Sequence, residues 1–227
     1  MIAAIWLEAF ARLPSDEGQE ADATTQLFRQ VEGGQPLLEA RPPPWKARWM
    51  ENQESGGLRS VLLTQLDTAW ALTQYHLNGL TTRECLLRPA RKGLHVEQGT
   101  DGVWRAEWPE SEGYDIGPAS IAWLTWHMGF WWSMVHDHSF GTGALKREDV
   151  HWPGTAEGVQ AWIARLHDQW RTSVMGLDEA ELHASKRTRW PLEGRPFADI
   201  VAWVNLELMK NAAELGYARF VLAVAER

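Results

Sequence analysis

The residues best suited to chemistry are polar groups that fall on otherwise apolar helical faces. His127 lies four residues before Trp131, which places it close to the apolar face of its predicted helix. Glu207, Asn211 and Glu214 follow one another at steps of four and three along the edge of a second apolar stripe. A polar group in such a position must find a partner or bind something, because burying it alone is costly.

Two interpretations of this set are open. His127 is either a core histidine that is hydrogen-bonded to a neighbour, or a metal ligand or general base. Glu207 and Asn211 lie about 6 Å apart along a helix axis, so both could reach one ion or ligand. Alternatively, they belong to a buried polar ladder that pairs with Lys210 or Arg219.

The other histidines and the cysteine do not have the spacing of a metal site or a catalytic site. His136 and His138 lie roughly 13–17 Å beyond His127 along a straight helix, so they cannot share an ion with it. We expect them to face solvent or to cap the helix end. Cys85 is the only cysteine, and no basic residue beside it in the sequence would make it a thiolate. The sequence contains no phosphate-binding loop, nucleophile elbow or paired-cysteine motif.

Four amphipathic segments must position these side chains. Apolar residues recur at steps of three and four in each of them, and each has one apolar face. Such faces must be buried against one another, which predicts an all-α four-helix bundle. The predicted long helices run over residues 58–78, 119–138, 156–175 and 197–225.

The segments outside these helices suggest additions to the bundle. Residues 1–50 contain two short amphipathic stretches, residues 3–13 and 23–31, followed by a loop bounded by Gly33-Gly34 and residues 42–44 (PPP), which predicts a helical appendage that packs on the bundle. Residues 95–97 and 103–106 flank a turn sequence, GTDG. That pattern predicts a small β-hairpin or an irregular excursion.

Composition excludes several classes of partner. The formal net charge of −8 argues against nucleic acid and against an anionic membrane surface. A single cysteine favours a reducing compartment, and the N-terminus is a poor signal peptide, so we expect a cytoplasmic protein. The 15 tryptophans predict either dense packing or a pocket for an apolar or flat ligand.

Three segments resemble the DinB-like superfamily, which includes thiol-dependent S-transferases and maleylpyruvate isomerases. They are residues 77–84 (LNGLTTRE) with Pro89, residues 121–127 (IAWLTWH), and residues 203–216 (WVNLELMKNAAELG). The resemblance covers about residues 58–225. It implies an up-and-down four-helix bundle, often dimeric, and we take residues 51–227 as that domain and expect a homodimer.

The resemblance also implies a divalent ion such as zinc or nickel. Family members hold it with one histidine from the second long helix and two ligands four residues apart on the last. His127 matches the first position and Glu207 and Asn211 match the pair, although a histidine is expected where Asn211 stands. A neutral amide oxygen is a weak zinc ligand.

In such a site the ion would hold a low-molecular-weight thiol as its thiolate. The walls of the site would then be formed by Glu214 and by four tryptophans, Trp123, Trp126, Trp131 and Trp203. We therefore carry two hypotheses. One is a metal-centred, thiol-dependent transferase or isomerase. The other is a member that has lost catalysis and acts as a small-ligand-binding or dimeric interaction domain.

Overall fold

Four long helices dominate the computed structural model, which describes residues 57–110 and 113–225. This confirms the predicted helical bundle, and the predicted ends differ from the observed ones by at most two residues. The long helices are α1 (Leu58–Leu77), α3 (Ile121–Phe140), α4 (Ala156–Met175) and α6 (Phe197–Ala225). The expected appendage over residues 1–50 lies outside the described residues.

Short elements fill the connections between the long helices. They are α2 (Thr82–Leu86), a 3₁₀ turn at Tyr114–Ile116, a second at Arg147–Asp149, and α5 (Glu179–His183). The predicted hairpin is present as β1 (Val96–Gln98) and β2 (Trp104–Ala106), paired antiparallel with Val96 opposite Ala106.

Side-chain caps account for the starts of several helices. The Thr81 hydroxyl accepts a hydrogen bond from the Glu84 backbone N–H, and the Glu84 carboxylate accepts one from the Thr81 N–H. Thr155 caps α4, and Ser120 caps α3 through the Trp123 N–H. Each cap satisfies a backbone donor that the helix itself leaves unpaired.

The helices do not simply alternate in direction along the chain. Asn205 of α6 donates to the Leu62 carbonyl of α1, and Arg219 donates to the carbonyl of His76, so α1 and α6 run parallel. In contrast, Arg171 of α4 pairs with Asp67 of α1 and Gln160 donates to the Leu77 carbonyl, so these two helices are antiparallel.

The two central helices of the sequence are also parallel to each other. His136 of α3 contacts Ser173 of α4, and Trp132 and His167, which are four and six residues earlier on the two helices, lie against each other. The connection over residues 141–155 must therefore return along the length of the bundle. It can, because an extended chain of this length spans at most about 50 Å and α3 is about 30 Å long. The order of directions is up, down, down, up, a detail that differs from the expected up-and-down alternation.

Helix α3 lies at the centre of the bundle. All of residues 121–132 are buried, and they include His127 and four tryptophans. A helix that is apolar around its whole circumference is typical of a core element. Among the described residues, no helix is long and apolar enough to cross a membrane.

Candidate functional site

His127 is buried between α3 and α6 and both of its ring nitrogens have partners. The Trp131 indole N–H donates to Nε2 at 2.9 Å, and Nδ1 lies 3.1 Å from the Asn211 amide oxygen. His127 and Asn211, which the resemblance assigns to one site, are therefore in direct contact. Trp123 stacks on the imidazole, with ring centroids 4.6 Å apart.

These contacts fix the protonation state of His127. An indole nitrogen can only donate, so Nε2 must accept and the ring proton resides on Nδ1. Nδ1–H then donates to Asn211 Oδ1, and the Asn211 amide donates to the Glu207 carbonyl at 2.8 Å. The result is a directed chain of hydrogen bonds from Trp131 to the main chain of α6. Burial lowers the pKa of His127 well below its ordinary value, and the nearby Lys210 lowers it further.

The Glu207 carboxylate faces a different partner. Lys210 Nζ lies 2.7 Å from Glu207 Oε2. The Glu207 side chain is only 4% exposed to solvent and the Lys210 side chain 18%. A buried carboxylate needs such a counter-charge, because leaving it alone would be strongly destabilising. This is the Lys210 pairing that the sequence left open as an alternative to metal binding.

A cavity of about 630 Å³ opens beside His127. Its walls come from the segments before and after the hairpin, the start of α3 and one face of α6. The mostly apolar wall contains Trp123, Leu124, Leu94, Pro118, Val221 and Tyr217, and the polar groups that reach it are His127, Lys210 and Glu214.

Glu214 is the carboxyl group of this cavity that has no hydrogen bond within the described residues. Burial raises its pKa above the ordinary value, Lys210 opposes this, and the Glu207 carboxylate adds to it. The protonated form is therefore favoured more than in water. A half-buried carboxyl group in an apolar wall is well placed to bind the polar end of a ligand.

The cluster does not fit a metal ion as it is arranged. Nδ1 of His127 carries the proton, and the lone pair of Nε2 accepts from Trp131, so the imidazole has no free lone pair for a metal. Glu207 is balanced by Lys210, and Asn211 already accepts from His127. In the part of the chain that the structure describes, no group of three His, Cys, Asp or Glu side chains is arranged to hold a metal.

The structure separates the predicted wall residues into three groups. Trp123 and Glu214 line the cavity, and Trp131 acts through its bond to His127. Trp126 and Trp203 are packed in the core, where the Trp126 indole donates to the Val150 carbonyl. His136, expected at the surface or at the helix end, is half-buried and contacts Ser173 instead, because α4 packs beside it.

Two features of the site were not predicted from the sequence, namely the hydrogen bond between Trp131 and His127 and the cavity wall at Pro118 and Leu94. The spacing of Trp131 from His127 is four residues, so an i,i+4 contact on one helix would have found it. Lys210 was already one of the two partners suggested for the polar ladder, and it lies three residues after Glu207 on the same helix. Pro118 and Leu94 come from irregular segments, and no periodic pattern in the sequence marks them.

A family model described as DinB superfamily matches residues 65–215, more than half of the chain, from within α1 to within α6. No curated protein and no solved structure matches the chain. The chain therefore belongs to the DinB superfamily.

Proposed function

We propose that this DinB superfamily member is a small-molecule-binding protein whose cavity beside His127 takes a largely apolar ligand without a metal ion. The observation that carries the proposal is the closed hydrogen-bond chain from Trp131 through His127 and Asn211 to Glu207. These hydrogen bonds occupy His127 and Asn211, which a metal ion would need as ligands. The cavity beside them remains open to a ligand.

The size and lining of the cavity support the binding of a small molecule. Its volume of about 630 Å³ lies within the roughly 300–1,000 Å³ of typical ligand sites. Trp123 and Tyr217 offer aromatic surface to a flat or apolar body. Glu214 would bind a donor on the ligand, such as an amine, because Lys210 is already paired with Glu207.

The second candidate is a thiol-dependent transferase or isomerase centred on a divalent ion. It is favoured by one observation, that His127, Glu207 and Asn211 meet in one buried cluster next to a cavity. For that function His127 would have to give up one of its two hydrogen bonds, and Glu207 would have to exchange Lys210 for the ion.

A titration with the apolar fluorescent amine N-phenyl-1-naphthylamine tests the first candidate. We expect saturable binding that quenches tryptophan fluorescence, since Trp123 lines the cavity, and that is unchanged by a chelator. Ala213→Trp places an indole at the cavity wall and should abolish binding, whereas Ala161→Trp on the exposed face of α4 should not.

The same preparation distinguishes the two candidates. Elemental analysis of protein purified without a metal-binding tag should find less than stoichiometric zinc or nickel. Stoichiometric metal, or probe binding that a chelator removes, would contradict the metal-free proposal and favour the transferase or isomerase.

A further inference from the structure

A second cavity, of about 460 Å³, lies at the opposite end of α3 from Ser120. It shares no lining residue with the cavity beside His127. Its walls are the last turn of α3, the short helix α5 and the segment that follows α5, through Ser139, Phe140, Glu181, Ala184, Lys186, Arg187 and Arg189.

The lining of this cavity is strongly basic in a chain whose net charge is −8. Lys186, Arg187 and Arg189 face one carboxylate, Glu181, so the cavity has two positive charges in excess. A local surplus of this kind attracts anions, since it runs against the field of the rest of the molecule.

Each arginine is anchored by one hydrogen bond and keeps other donors available. Arg187 donates to Glu181 Oε1 at 2.9 Å, and its guanidinium lies over the Phe140 ring at 5.0 Å from the centroid. Arg189 donates to the Gly141 carbonyl at 2.9 Å, which also covers the negative end of the α3 dipole. A guanidinium has five N–H donors, so most of them remain for a ligand.

Lys186 completes the set of cations. It lies close enough to Glu181 to lower the pKa of that carboxyl group, after the larger effect of the hydrogen bond from Arg187. Within the described residues its ammonium group makes no hydrogen bond, so its three donors are available.

Ser139 supplies the observation that points to a ligand. The residue is only 4% exposed, and its hydroxyl has no hydrogen-bond partner within the described residues. A buried hydroxyl without a partner is costly, and a helical serine usually bonds to a carbonyl one turn earlier. Ser139 lines the basic cavity, so a rotation of its side chain would bring the hydroxyl to an acceptor oxygen bound there.

We infer that this cavity binds a phosphomonoester, with the phosphate held by Lys186, Arg187, Arg189 and the Ser139 hydroxyl. A phosphomonoester carries nearly two negative charges at neutral pH, which matches the excess positive charge. The cavity is larger than inorganic phosphate needs, and the Phe140 ring gives the organic group an apolar surface.

Calorimetric titration of the full chain with phenyl phosphate tests this inference. We expect one site per chain for phenyl phosphate, weaker binding of inorganic phosphate, and none of the neutral analogue phenol. The double variant Lys186→Gln with Arg189→Gln should weaken binding at least tenfold. Arg165→Gln, which removes an exposed arginine from α4, should leave it unchanged.

Ser139→Ala adds a readout that a purely structural role would not move. We expect the affinity for phenyl phosphate to fall several-fold, while the melting temperature without ligand stays the same or rises, because an unpaired hydroxyl has been removed. The inference is overturned by an absence of binding, by equal affinity in the basic-cavity variants and Arg165→Gln, or by an unchanged affinity in Ser139→Ala.

Discussion

Asn211 is the central member of the hydrogen-bond chain beside the cavity, because its amide accepts at one end and donates at the other. Its side chain is almost fully buried, so no water can replace a partner that is lost. Its neighbours on both sides are held in one orientation as a result. A change at this position therefore tests the whole arrangement.

We expect Asn211→His to destabilise the protein by about 1–3 kcal/mol, since a buried donor and acceptor lose their partners. Added zinc or nickel should not restore the melting temperature. The matched control is Asn205→His, which replaces another buried asparagine of α6, one that contacts Leu62 rather than His127. If zinc raises the melting temperature of the Asn211 variant alone, the metal-free interpretation is wrong.

Glu214 gives a second prediction at the scale of single residues. Burial raises its pKa, so the folded state holds this proton more tightly than the unfolded chain does. Its favourable contribution is present at low pH and is lost as the pH rises from its ordinary value of 4.5 through the folded value.

Glu214→Gln should therefore raise the melting temperature at pH 7 and have a smaller effect near pH 4. Thermal unfolding at both pH values measures this, with Glu193→Gln in an exposed loop as the control. A lower melting temperature at pH 7 would instead mean that the attraction of Lys210 outweighs the cost of burying the charge.

The long helices were predictable because their signals are local. Thr155, for example, caps α4 at its predicted start. Helix directions were not predictable in the same way, since an apolar stripe is the same whichever way the helix runs. Directions depend on contacts between distant segments, such as Arg171 with Asp67, that a single sequence does not reveal.

The same distinction applies to the candidate site. His127 and Asn211 were found because both are polar residues on apolar helical faces, and such faces converge in a bundle. The cavity wall at Pro118 and Leu94 was not found, because its position depends on how the hairpin region packs against α3 and α6.

The packing of α3 against α4 depends on one glycine. Gly129 is buried, and a Cβ at this position would overlap the ring of Trp162 on α4. The two parallel helices therefore approach closely only because residue 129 has no side chain. This contact is part of the interface that fixes their parallel order.

Gly129→Ala should destabilise the protein by about 1–3 kcal/mol through overpacking. Urea unfolding measures this, and the double variant with Trp162→Leu should lose less than the sum of the two single changes. Gly176→Ala at the end of α4 is the control, since its Cβ would make ordinary contacts at 3.6 Å. Additive losses would show that the two residues are not coupled.

At the scale of the whole molecule, the predicted homodimer stays a prediction. Large apolar side chains are exposed on one helix, α6, at Leu206, Tyr217, Phe220 and Val224. A dimer contact would bury such a surface. We expect light scattering to give twice the chain mass, and Phe220→Glu to shift it towards the monomer. A monomer mass for the unmodified chain over a wide concentration range would contradict this.

Histidines distributed through the bundle predict how stability responds to acid. In each of five the pKa is lowered from 6.5, chiefly by burial, and they are His76, His95, His127, His136 and His167. The unfolded chain takes up protons near pH 6.5, whereas the folded chain resists until lower pH. Stability is therefore lost as the pH falls below 6.5, at up to about 1.4 kcal/mol per pH unit for each proton of difference.

Two other groups of residues do not cancel this trend. Glu214 acts in the opposite direction, but it is a single group. The paired carboxylates with lowered pKa values contribute mainly below about pH 4.5. The loss of stability between pH 6.5 and 4.5 is therefore caused mainly by the histidines.

Urea unfolding followed by tryptophan fluorescence at pH 7.5, 6.5 and 5.5 measures the effect. His167→Gln should flatten the dependence, and His183→Gln in the exposed part of α5 is the matched control. A free energy of unfolding that is constant or rises on acidification would contradict the assignment of these histidines as neutral, buried groups.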